Sequence, residues 1–350
     1  GDVYKRQAPG LFIGDRVVVR YLLGDATPAD WRGDPRAARS DVTGILVAAG
    51  DPGTGEPLQL DRDGVTESIP HDAITSIRLL SAKPVRNSEI RAVEHAAALA
   101  WPGVESAWID GWLVRAGGGF TRRANCALPL EPSARSATSL PRIAEWYRRR
   151  DLPVLLALPD RLITPGAFSG IPGVEVQFLT ADLQTLSGPA SSGSVSSGAV
   201  PGIRLDDAPS AAWLRAYGGD RSGGDRSDDR PEIDVEPAAA VIGAARGPLT
   251  FATIGTDEVI ATGRAAVTEG PDGVRRLGLT ALWTQAAHRR RGLSAAILDR
   301  LVAWGAQQGA TSAYVQVETT NQVAGAWYRR RGFGLHHTMR YLTVPSNTTP

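Results

Sequence analysis

Arg276–Trp304, RLGLTALWTQAAHRRRGLSAAILDRLVAW, decides how the rest of the chain is read. Its first part, Leu277 to Trp283, alternates and branches like a strand. From Leu293 onward, Ile297, Leu298, Leu301, Val302 and Trp304 fall on one side of a helix. The helix therefore begins at Gly292 to Ala295, where backbone N–H groups lack intrahelical acceptors and the macrodipole adds partial positive charge. Glycine there lets a ligand approach the main chain. Arg289, Arg290 and Arg291 enter the same turn, so the site suits a diphosphate. The turn matches neither GxxxxGK[ST] nor GxGxxG, which argues against nucleotide-hydrolase and dinucleotide folds.

Further along, AYVQVETTNQVAGAWYRRRGF (Ala313–Phe333) reads as a strand followed by a helix. Asn321 is a good helix N-cap, Tyr328 lies two turns along the same face, and Gly332 is a natural stop. Arg289-Arg290-Arg291-Gly292-Leu293-Ser294 resembles the Q/R-x-x-G-x-G/A acetyl-CoA motif of the GCN5-related N-acetyltransferases, with Ser294 in place of Gly or Ala. The group Asn321, Tyr328, Gly332 and Phe333 resembles that family's later signature. Residues 248–344 carry the resemblance firmly and 89–179 more loosely, as a degenerate N-terminal half like that of larger actinobacterial members with an SH3-like N-terminus.

The resemblance implies an α/β (α+β) fold with a mixed, mostly antiparallel sheet and flanking helices. It also implies that the strands before Arg289 and before Asn321 splay apart. Acetyl-CoA would then lie with its pantetheine arm against the main chain of Leu282, Trp283 and Thr284, its pyrophosphate on Arg289–Ser294, and Asn321 nearby. Tyr328 is assigned to the departing thiolate. Many family members carry a carboxylate base on the strand before the pyrophosphate turn, but Leu277 to Ala287 contains none. Glu318, at the end of the neighbouring strand, is the side-chain candidate, with water as the alternative.

Upstream, FIGDRVVVRYLL, SDVTGILVAA, PLQLDRDG, VTESIP and ITSIRLL predict five short antiparallel strands over residues 10–82, closing as an SH3-like barrel around an Asp63-Gly64 turn. Residues 11–80 hold seven Arg against eleven Asp plus Glu, which disfavours nucleic acid as its ligand and favours a structural module or one that docks to a protein. A helix from Asn87 or Ser88 to about Ala100 opens the next segment, 86–185, with order α-β-β-α-β-β. Residues 186–231 are expected to be Gly/Ser/Asp-rich inserts around a short ordered piece, and 232–345 the acetyl-CoA-binding domain. DVYKRQ (Asp2–Gln7) matches what a sequencing adapter encodes, so residues 1–9 are expected to be foreign to the fold.

A net charge of +1 predicts no general attraction to polyanions. No apolar run long enough to span a bilayer is present, and Cys126 is the only cysteine, so a cytoplasmic location is expected. His336-His337 lacks Cys, Asp or Glu at ligand spacing and reads as a strand-edge pair rather than a metal site. Trp101, Trp108 and Trp112 read as core. The expected reaction is acetyl transfer from acetyl-CoA to a primary amine of a small molecule or peptide. The alternatives are a non-catalytic acyl-CoA sensor and a protein acetyltransferase.

Overall fold

The computed structural model describes residues 11–24, 38–134, 137–163, 166–187, 202–219, 235–255 and 258–345. The DVYKRQ start and most of the Gly/Ser/Asp-rich stretches lie outside them.

Five antiparallel strands, β1 (Arg16–Leu22), β2 (Arg39–Ala48), β3 (Leu58–Arg62), β4 (Val65–Ile69) and β5 (Ile74–Leu79), form a sheet of order β4-β3-β2-β1-β5. Alternate residues bury one face, with Val17, Val19, Val42, Leu46, Leu58, Leu60, Ile69 and Ile77 in its core. The turn at Asp63 (φ 55°) and Gly64 (φ 85°) uses two positive φ angles, as a tight hairpin requires. β4 and β5 stand at the two ends of the order, so hydrogen bonds do not close the expected barrel among the described residues. This small all-β domain docks on the rest of the chain through Asp15 to Arg329 (2.6 Å), with Arg329 also over the Phe12 ring, and through Arg78 to Asp160.

The remainder shares one eleven-stranded sheet. Its first part contributes α1 (Asn87–Ala100), β6 (Glu105–Ile109), β7 (Trp112–Ala116), β8 (Ala127–Pro129), α2 (Leu140–Arg148), β9 (Val154–Pro159) and β10 (Ile171–Asp182). After α3 (Leu183–Ser187) come β11 (Ile203–Asp206), α4 (Ala211–Gly219) and α5 (Val235–Ile242). The rest is β12 (Leu249–Ile254), β13 (Ala261–Glu269), β14 (Arg275–Thr284), α6 (Leu293–Gln307), β15 (Ser312–Glu318), α7 (Gln322–Arg330) and β16 (Gly334–Val344). The order across the sheet is β11-β12-β13-β14-β15-β10-β16-β9-β8-β7-β6.

That order contains a pseudo-twofold repeat. In each half three antiparallel strands (β6-β7-β8, β12-β13-β14) lead through a helix (α2, α6) to a parallel fourth strand (β9, β15). The fifth strand of each half is exchanged: β10 pairs with β15 and β16 pairs with β9, while β10 and β16 pair with each other at the centre. The expected segments 86–185 and 232–345 are thus interlocked in one sheet. β6 was not expected from the sequence, and β11 and α4 bring part of the 186–231 stretch into the ordered core, with Trp213 fully buried.

α6 and α7 cover one face of the C-terminal half, packing Leu293, Ile297, Leu301, Tyr328 and Phe333 against Leu277, Leu279, Val315 and Val317. α4 and α5 cover the opposite face, where Trp213, Val241 and Ile242 meet Phe251 and Ala266. Two buried arginines on equivalent middle strands tie this second face to the end of α1. Arg264 donates to Ala100 O, Ile242 O and Ala244 O, and Arg115 donates to Trp101 O.

Candidate functional site

The sheet opens between β14 and β15. Their parallel pairing runs only from Arg276↔Ser312 to Leu279↔Val315, after which β14 continues to Thr284 and β15 to Glu318 as separate branches. The cause lies in β14: Ala281 takes φ 55°, a left-handed conformation that turns the strand away, and Thr262 Oγ1 fixes it by donating to Ala281 O at 3.0 Å. The expected splay is therefore present. Thr280, one residue beyond the last β14–β15 pair, is 7% exposed and its hydroxyl has no hydrogen-bond partner among the described residues.

The branch ends in the arginine turn. Arg289 Nε donates to Thr284 O, Arg290 has φ 61° and Gly292 φ 79°, and α6 begins at Leu293. Gly292 is the N-cap and no side chain caps the helix, so the first-turn N–H groups stay open to a ligand. Ser294 does not cap; its hydroxyl lies 2.8 Å from Thr284 Oγ1, joining the helix to the strand end. Arg290 and Arg291 are exposed at this terminus. An uncapped fifteen-residue helix, a left-handed glycine and neighbouring guanidinium groups have the chemistry to hold a diphosphate. The residues present fit the diphosphate and pantetheine of a coenzyme A thioester, with Leu282 and Trp283 half-buried along the branch.

On the other branch Asn321 caps α7, accepting from Ala324 N at 3.1 Å. Tyr328 is 8% exposed, edge-on to Trp327 and Phe333, and its hydroxyl makes no hydrogen bond among the described residues. Burial pushes the Tyr328 pKa well above the usual phenol range, with nearby Arg123 pulling the other way, so the side chain stays protonated.

Arg123 is one of two site residues that sequence reasoning missed. Arg122 and Arg123 lie in the loop between β7 and β8 and reach across to β15. Arg123 Nε donates to Gln316 Oε1 (2.6 Å) and Arg122 pairs with Glu318 (2.5 Å). The partners are 193 and 196 residues apart, and no local pattern announces such a contact. The candidate base, Glu318, is thus half-exposed at the end of β15 and already holds a guanidinium.

The His336-His337 pair is not at a strand edge. β16 is interior, and a register shift against β10 leaves His336 as an extra, bulged residue. Among the described residues no group of three His, Cys, Asp or Glu could hold a metal ion. Trp101 and Trp112 are core, whereas Trp108 is 49% exposed and stacks on His95.

Residues 87–342 match the family model described as "Probable histone acetyltransferase Rv0428c C-terminal". A protein of Mycobacterium tuberculosis (strain ATCC 25618 / H37Rv) with the name "Probable histone acetyltransferase Rv0428c" is 37% identical over 344 residues, covering 97% of each chain. Among solved structures, a GCN5-related N-acetyltransferase from Kribbella flavida aligns with a TM-score of 0.48 and 17% identity, over 75% of this chain and 97% of that one. A tandem GNAT protein from the clavulanic acid biosynthesis pathway aligns with a TM-score of 0.40 and 12% identity, over 59% and 68% of the two chains.

Proposed function

Since the chain belongs to the Rv0428c-type acetyltransferase family, within the GCN5-related N-acetyltransferase superfamily, we propose that it moves an acetyl group from acetyl-CoA to a primary amine by direct attack on the thioester. The observation that carries this reading is the split: β14 leaves β15 at Ala281 and runs to the uncapped N-terminus of α6. The coenzyme's diphosphate would rest on Arg289–Ser294 and its pantetheine along Leu282–Thr284, with Asn321 beside it. Bound there, acetyl-CoA supplies an electrophilic thioester carbonyl.

Tyr328 donates a hydrogen bond to the departing sulfur. An ordinary thiol and phenol differ by about 1.5 pKa units, so full proton transfer costs about 2 kcal/mol even before burial raises the phenol further. Tyr328 is accordingly a donor that stabilises the thiolate rather than a strong acid. Glu318, paired with Arg122, stands at the acceptor side of the split, where it meets the incoming ammonium.

For the acceptor, a lysine-like amine near pKa 10.4 is neutral in only about one part in a thousand at pH 7.4, a cost of about 4 kcal/mol. An α-amine near 7.7–8.0 costs under about 1 kcal/mol. A small molecule or peptide with a low-pKa amine is the first reading. The name of the 37% identical relative favours a second, a protein acceptor recruited by the small all-β domain. Thiol release from acetyl-, propionyl- and succinyl-CoA over a panel spanning both amine types tests them. Faster turnover of α-amines is expected; equal or better turnover of lysine side chains refutes the first reading.

A further inference from the structure

Acetyl transfer to an ammonium needs a proton acceptor, and β14 carries no carboxylate to serve as one. Beneath α1, however, lies a buried chain of titratable groups whose His336 and His337 also line the cavity bordered by Gln322 and Gly325 of α7. Glu94 of α1 is 2% exposed, and its Oε1 is 3.0 Å from His337 Nε2. His337, 6% exposed and stacked on Phe178 at 4.4 Å, has its Nδ1 2.7 Å from His336 Nδ1. The β16 bulge brings the two consecutive rings together, because regular alternation would send them to opposite faces.

Burial, reinforced by His337 and Arg276, pushes the pKa of His336 down to about 3, so it is neutral near pH 7 and donates from one nitrogen only. His336 Nδ1 shares a hydrogen bond with His337 Nδ1, and His337 Nε2 shares one with Glu94 Oε1. Glu94 Oε2 makes no hydrogen bond among the described residues.

Glu94 also lines a chamber of about 10 Å³ for a water's centre, shared with Arg115, Arg123, Gln316 and Tyr341. That is room for about one water. Gln316 belongs to the β15 branch of the split, and Arg123, bonded to it, is the residue whose charge reaches Tyr328. The chamber thus shares Gln316 with the β15 branch, one residue beyond the last β14–β15 pair.

Resting on the acetyl-transfer reading above, we propose that Glu94 takes the acceptor's proton through a water in this chamber, with His337 and His336 holding its carboxylate in place. An N–H proton of the ammonium passes to the water while a water proton passes to Glu94 Oε2. The freed nitrogen pair then forms the C–N bond and the C–S bond breaks, with Tyr328 hydrogen-bonded to the sulfur. The second N–H proton leaves as the thiol acquires one, so one proton in all is released to solvent for each amide made. The charged and titratable groups facing this chain are Arg115 from β7, Arg123 and Cys126 from the loop before β8, Arg276 from β14, Tyr314 from β15 and Tyr341 from β16. Glu94 is the catalytic residue in this scheme, and His337 and His336 are positioning residues.

The test compares the full chain with Glu94→Gln, Glu94→Asp and His336→Ala, measuring thiol release from acetyl-CoA with triglycine and with a lysine peptide between pH 6 and 10. Loss of a positioned base lowers kcat by about 100-fold or more near pH 7. The KM for acetyl-CoA stays within about twofold, and the loss shrinks towards high pH, where the amine arrives already deprotonated. Glu94→Asp recovers part of the rate, and His336→Ala shows a smaller loss with the same pH trend. A Glu94→Gln rate within threefold of the parent, or a loss equal at every pH, overturns the proposal. Should that variant not fold, the pH trends of Glu94→Asp and His336→Ala decide by the same criterion. Absence of thiol release from the parent with either acceptor overturns the acetyl-transfer reading itself, and the relay with it.

Discussion

Replacing Tyr328 by Phe separates chemistry from folding, because the structure gives the hydroxyl no partner to lose. The ring packs edge-on against Trp327 at 4.9 Å and Phe333 at 5.5 Å between centroids, and both contacts survive in phenylalanine. Stability should change by less than about 1 kcal/mol, since no buried group is left unsatisfied. In the reaction the hydroxyl donates to a developing thiolate, and hydrogen bonds to charged groups contribute about 1.5–3 kcal/mol. At 1.36 kcal/mol per decade, kcat falls by roughly 10- to 150-fold. Acetyl-CoA binding, measured by calorimetry, stays unchanged because the thioester sulfur carries no charge before the transition state. Steady-state thiol release with the fastest acceptor of the panel reads kcat, and chemical denaturation reads stability. A variant with parental kcat refutes the assignment of Tyr328. One that loses rate, coenzyme affinity and stability together shows a packing residue instead.

Arg264, fully buried, donates to three main-chain oxygens at the ends of α1 and α5. Arg264→Leu leaves them unsatisfied and should lower unfolding free energy by about 3–5 kcal/mol in denaturant titration. Gly278→Ala places a Cβ 2.2 Å from the Tyr314 hydroxyl, whose ring is itself buried, so about 1–3 kcal/mol of destabilisation is expected by the same titration. The double change Arg290→Ala with Arg291→Ala should weaken acetyl-CoA binding and flatten its dependence on salt, read by calorimetry at two ionic strengths. Burial raises the pKa of Tyr147, Tyr314, Tyr328 and Tyr341. Below about pH 10 these phenols are protonated in both states and the effect is nil. Above it only the unfolded chain ionises, so stability falls by up to about 1.4 kcal/mol per pH unit for each. A midpoint of denaturation independent of pH between 9 and 11 contradicts this.

Local signals carried the sequence reading as far as local signals go. Gly292 before an apolar helix stripe, Asn321 as a cap and Asp63-Gly64 as a hairpin turn were each legible, since each depends on residues within a few positions. The same signal at Asp110 (φ 48°) and Gly111 (φ 84°) marks the β6–β7 hairpin and went unread, because Glu105–Ile109 exposes Trp108 and lacks a clear apolar face. The strand exchange was not legible. β10 and β16 alternate as any central strand does, and nothing in Ile171–Asp182 states that its neighbours are β15 and β16 rather than a strand of its own half.

That exchange explains why the first half is tied to the acceptor side of the split despite lacking the arginine turn. With β10 seated beside β15, the N-terminal loop bearing Arg122 and Arg123 is carried over the end of β15, where it meets Gln316 and Glu318. With β16 seated beside β9, His337 comes under α1 and meets Glu94. In the equivalent turn of the first half, Leu130 to Ser139 contains no glycine, and Pro141 occupies the first turn of α2. The N–H that proline removes is one a phosphate would need. On the proposed function, one half supplies the coenzyme site. The other, relieved of that task, supplies guanidinium and carboxylate groups to the acceptor side. Cutting the chain between 187 and 202 and expressing either piece alone should abolish acetyl-CoA turnover, because each piece would lack a strand on which its own sheet depends.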